Sequence, residues 1–159
     1  MGKKTLRIIP VPKGVTFALL VLASIAVVWA IYWLSGKAYL KDRPAFEEIE
    51  IVYRHIRGIE PQTNATLIAV MMPVVANVML LVPWGFLAFL VMDRPGWSRA
   101  RTYLVTLIAA ALFSLVLVAW QGMLPTRITG IDDSMWNVVG AMLGAMVAHA
   151  RKRIQIRFE

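Results

Sequence analysis

Residues 67–92 read LIAVMMPVVANVMLLVPWGFLAFLVM, without a charge from end to end. A helix needs about 20 predominantly apolar residues to cross the hydrocarbon core of a bilayer, and this stretch is long enough to do so. Working outward, three more runs stand out at 15–34, 102–124 and 134–150, the last shorter and rich in small residues. Soluble folds rarely carry four such runs in 159 residues. The expected architecture is therefore an all-α membrane protein: one membrane domain, 1–159, with four transmembrane helices and an outer loop at 35–66.

Composition agrees. Hydrophobic residues make up 59% of the chain and charged residues 16%, against about 25% charged in an average soluble domain. Mean hydropathy is +0.67. Disorder needs low hydrophobicity and high charge, so it is excluded. With no cysteine, disulfides and thiolate metal sites are excluded too. The first run exceeds the 7–15 residues of a signal-peptide core and ends in Trp29, Tyr32 and Trp33. Such aromatics mark a membrane interface, and the run reads as an uncleaved anchor.

The 17 basic residues outnumber the 9 acidic ones, and their placement sets an orientation. Lys3, Lys4, Arg7 and Lys13 precede the first run; Arg94, Arg99 and Arg101 lie between the second and third; Arg151, Lys152, Arg153 and Arg157 follow the fourth. The other side holds Lys37, Lys41, Arg43, Arg54, Arg57 and Arg127, together with most of the acids. The positive-inside rule then places both termini in the cytoplasm. Basic tails against anionic lipid account for the charge, so the expected partners are membrane lipids, with no nucleic acid.

In the outer loop, Pro44 opens a segment that Gly58 and Pro61 close. Ile49, Val52, Tyr53 and Ile56 recur at helical spacing, with glutamates early and arginines late, as the helix dipole favours. It reads as an amphipathic helix on the outer surface, with His55 solvated. The remaining loops are short, so the second, third and fourth runs are expected to pack as antiparallel neighbours.

Polar residues inside apolar runs need partners, because an unpaired polar group in hydrocarbon costs several kcal/mol. Asn77 lies in the second run; Ser114 and Gln121 share a face of the third. Asp133 and Asn137 share a face of the fourth, which Gly140 and Gly144 continue. Gln121, Arg127, Asp132, Asp133 and Asn137 are expected to meet near the outer interface, with Arg127 paired to an aspartate. Structural alternatives stand beside these roles. Asp132 or Asp133 can cap the fourth helix, Asn77 can bridge helices, and Ser114 can bond its own helix. Gly140 and Gly144 form a small-xxx-small packing face; Pro83, beside Gly85, and Pro73 read as kinks. No HExxH, Gly-rich phosphate loop or nucleophile elbow occurs, so no catalytic residue, cofactor or metal site is assigned.

Two blocks carry a resemblance. The first runs from Asn77 through Pro83, Trp84 and Gly85 to Phe86. The second comprises Ser114, Gln121, Leu124-Pro125, Arg127, Ile131-Asp132-Asp133, Asn137 and Gly140. Together they resemble the VanZ-like family of small bacterial membrane proteins. The family usually places a glutamate where Val118 stands, and often an aspartate where Gly130 stands. The resemblance implies a cell-envelope protein of the bacterial plasma membrane, from a family linked to teicoplanin resistance. On that reading the outer cluster binds a lipid or cell-wall-precursor headgroup. The other reading is a non-enzymatic accessory subunit of a larger membrane complex, or a homo-oligomer.

Overall fold

A computed structural model describes residues 12–35, 46–123 and 131–153, and these are all helix or short connection. The described residues form five helices: α1 Lys13–Ser35, α2 Glu47–Ile56, α3 Asn64–Met92, α4 Arg99–Gly122 and α5 Ile131–Arg153. Local chemistry sets their ends. The Thr63 hydroxyl accepts from the Thr66 N–H at 3.2 Å to start α3, and Ser98 does the same for the Arg101 N–H to start α4, each satisfying one orphan donor. The α2 helix closes at Gly58, whose φ of 68° is a left-handed conformation open to glycine. The α3 helix runs unbroken through Pro73 and Pro83.

Three helices, α1, α3 and α4, are long and apolar enough to cross a membrane, and the chain reads as a membrane protein. The α5 helix matches α1 in length at 23 residues but is less apolar and does not join that set. Its first turn carries Asp132 and Asp133, and its buried residues are Asp132, Ser134, Asn137, glycines and alanines. On α4 and α5 small and polar residues lie inside and many large apolar residues outside. On α4 the buried stripe is Thr102, Thr106, Ala110, Ser114, Leu117 and Gln121, while Leu104, Ile108, Leu112 and Val116 are half or more exposed. A water-soluble helix shows the reverse; a surrounding of lipid explains it.

The tightest helix pair is α3 with α5. A Cβ built on Gly85 would fall on the Ala141 backbone, one on Gly140 on the Val78 carbonyl, and one on Gly144 on the Val82 carbonyl. Only glycine admits this approach. Contacts from Asn77–Asp133 to Phe89–His149 advance together along both helices, so α3 and α5 run parallel, and Ser114–Asn137 with Tyr103–His149 sets α4 antiparallel to α5. The expectation of chain neighbours packing pairwise thus misses the main contact, because three glycines draw α5 onto α3.

The first helix lays Thr16, Leu20, Val27 and Ile31 against the bundle, a single helical face. There the Trp84 indole N–H donates to the Ser24 hydroxyl at 2.9 Å, and the Trp84 ring stacks on Phe113 at 4.9 Å between centroids. Trp29, Tyr32 and Trp33, near the end of α1, are exposed.

Candidate functional site

The first turn of α5 supplies most of the polar site. Asp132 and Asp133 lie in the first turn of α5. A carboxylate there faces the positive end of the helix dipole. The Asn77 side-chain amide, halfway along α3, donates to Asp133 Oδ1 at 2.7 Å. Asp132 is buried, and its Oδ2 accepts a long hydrogen bond, 3.5 Å, from the Phe46 N–H. Phe46 precedes α2 in a left-handed conformation, φ 63°, which costs a non-glycine residue about 1–2 kcal/mol. The α2 helix is thereby joined to α5.

A second set of bonds links α4 to α5. Asn137 Nδ2 donates to Ser114 Oγ at 3.1 Å, and Ser114 Oγ donates to the Ser134 carbonyl at 3.2 Å. Ser114 therefore bonds across helices, and the structural alternative of a bond to its own helix is not the one it makes here. Thr102 and Thr106 make that local bond instead, to the carbonyls of Ser98 and Thr102. Seven residues past Ser114, Gln121 is 2% exposed and about 10 Å nearer the α4 end. Among the described residues its buried Oε1 has no hydrogen-bond partner, nor has the Trp136 indole N–H. Val118, one turn before Gln121, is half-buried.

The structure thus joins Asn77 to Asp133 and Ser114 to Asn137, and aligns Gln121 on the Ser114 face. Arg127 and Gly130 lie outside the described residues. Gly85, Gly140 and Gly144 form the seam beside this cluster; Pro83 is exposed on α3. Ser134 and Phe46 enter through backbone atoms, which no side-chain pattern announces. His55 is also placed differently from expectation: it is half-buried, and its Nδ1 accepts from the Gln62 N–H at 2.9 Å, closing the α2–α3 turn. Among the described residues no group of three or more His, Asp or Glu is arranged to hold a metal ion.

At the other end of the bundle, the Tyr103 hydroxyl and His149 Nδ1 are hydrogen bonded at 2.8 Å. Phe89 packs against both rings. Trp97, between α3 and α4, carries Arg94 and Arg101 over its ring at 5.3 and 4.3 Å.

Compared with known proteins, residues 16–152 match the family model described as VanZ/LLP1. No curated protein and no solved structure matches the chain.

Proposed function

We propose a function from one premise: the chain belongs to the VanZ/LLP1 family. Our reading is a cell-envelope protein of the bacterial plasma membrane with four spans, α5 being the fourth, and both termini cytoplasmic. Its polar cluster binds the headgroup of a lipid or cell-wall precursor in the outer leaflet. The observation that carries this is the cluster itself. Asn77, Ser114, Asp133 and Asn137 link three helices near one end of α5, and Gln121 presents a buried acceptor with no partner among the described residues. Buried polar atoms of native proteins are nearly always satisfied, and a ligand donor satisfies this one. In this reading Arg127 grips the phosphate or carboxylate of the headgroup, a charge-assisted contact suited to its forked guanidinium. The link to teicoplanin follows from the family.

The test is Arg127→Gln, Gln121→Leu and Asp133→Asn, each checked for its level in the membrane. Headgroup binding is measured in vesicles and teicoplanin susceptibility in cells. Arg127→Gln is expected to weaken binding at least tenfold at unchanged protein level. Wild-type binding and susceptibility in all three variants would sink the reading.

A second reading, an accessory subunit, has its own observation. Ile49, Tyr53, Ile56 and Ile59 form an exposed apolar stripe along and just past α2, with Ile56 76% exposed. Such a face suits a partner protein. Stoichiometric co-purification with larger membrane chains would favour it over the first.

A further inference from the structure

The short link between α3 and α4 holds two arginines in place. Arg94-Pro95-Gly96-Trp97 is a tight turn, closed by the Trp97 N–H on the Arg94 carbonyl at 3.2 Å, with Gly96 at φ 83°. Proline second and glycine third are the residues a type II turn favours. Ser98 follows and caps α4 by accepting from the Arg101 N–H. Turn and cap bring three side chains together: the Arg94 and Arg101 guanidiniums both lie over the Trp97 ring, at 5.3 and 4.3 Å from its centre. The ring is half-buried and both arginines are exposed. Attraction to a ring face leaves the N–H donors of a guanidinium unused. Among the described residues neither arginine makes an ion pair.

The place of this pair says what it meets. It lies at the end of the bundle opposite the polar cluster, where α3 finishes and α4 begins. Both helices are long and apolar enough to cross a membrane, and a tryptophan at the end of such helices sits at headgroup level. On α3, α4 and α5 this end carries Arg94, Arg99, Arg101 and Arg151 against one described acid, Asp93. We propose that Arg94, Trp97 and Arg101 form a headgroup site for one anionic phospholipid: the two guanidiniums close on its phosphate, and the Trp97 ring holds them in position. The forked guanidinium suits phosphate oxygens, and anionic lipid is drawn to cations at the membrane surface. The site stands apart from the polar cluster and does not rest on the function proposed for it.

Purified full-length protein in mild detergent is titrated with dioleoyl phosphatidylglycerol or dioleoyl phosphatidylcholine, and the first lipid bound is followed by native mass spectrometry. Phosphatidylglycerol is expected to bind about tenfold more tightly, the worth of one charge-assisted hydrogen bond, because the choline cation offsets the phosphate of its rival. Arg94→Gln and Arg101→Gln should each weaken it, and the two together by about tenfold. Trp97→Leu keeps both cations but removes the ring that aligns them, and should weaken it about threefold, the scale of an exposed cation–π contact. Arg99→Gln removes the same charge from the same end. Two residues apart on a helix do not share a face, so binding there should change by less than about twofold. Helix content should be the same in every variant. Equal binding of the two lipids, wild-type binding in Trp97→Leu, or equal losses in Arg99→Gln and Arg101→Gln would each overturn the proposal. Displacement of the lipid by millimolar inorganic phosphate would overturn the lipid as occupant.

Discussion

At Asn77 one side chain decides how α3 and α5 are joined in the polar layer. Its amide reaches Asp133 at 2.7 Å, and hydrogen bonds between membrane helices average about 0.6 kcal/mol, with values up to about 1–2. A double-mutant cycle of Asn77→Leu and Asp133→Leu, read from unfolding in detergent, should give a coupling of about 1 kcal/mol. Ser114 makes a sharper contrast. Ser114→Ala strips Asn137 of an acceptor and the Ser134 carbonyl of a donor, and should cost about 1 kcal/mol. Thr106→Val removes only a hydroxyl bonded to its own helix, and the same measurement should show less than about half that loss. The sequence shows that Asp133 and Asn137 share a face, because four residues is one helical turn. It does not show that Asp133 meets Asn77, 56 residues away, since that needs the register of two helices. Nor does it separate Ser114 from Thr106, since a buried hydroxyl in a helix can bond either way.

Among the elements, α5 is defined by what it lacks. Its glycines let its backbone rest on α3 at Val78 and Val82, and Gly85 returns the approach against Ala141. Gly140→Ala should therefore force the helices apart and destabilise the bundle by about 1–3 kcal/mol. Gly14→Ala, in α1, meets nothing within 4 Å and should leave the unfolding midpoint unchanged or raised. A thermal scan of the two variants in one detergent checks the difference. The apolar lengths of α1, α3 and α4 were legible because lipid-facing side chains are large and uninterrupted. The α5 helix stands out less in hydropathy for the reason it packs so well: small and polar residues lower it. The α2 helix was legible from its amphipathic spacing, whereas its Phe46 link to Asp132 was not, because a backbone N–H leaves no mark in the sequence.

For the molecule as a whole, the proposed orientation makes a direct demand. No cysteine occurs in the chain, so a single introduced one reports its side of the membrane without background. In intact cells treated with an impermeant maleimide, Glu60→Cys should label and Lys4→Cys should label only after permeabilisation. Labelling of Lys4→Cys in sealed cells would reverse the topology. The parallel seam also bears on how the protein is born. Translation proceeds from the N-terminus at roughly 5–20 residues per second, so α5 is completed about 3–12 s after α3. Through that interval the face of α3 at Gly85 lacks α5, the least apolar of the four long helices. In the proposed four-span reading, insertion of the last helix is then a templated step, in which α3 acts as the receptor. A chain cut short after α4 would show the cell's quality control an unfilled glycine face.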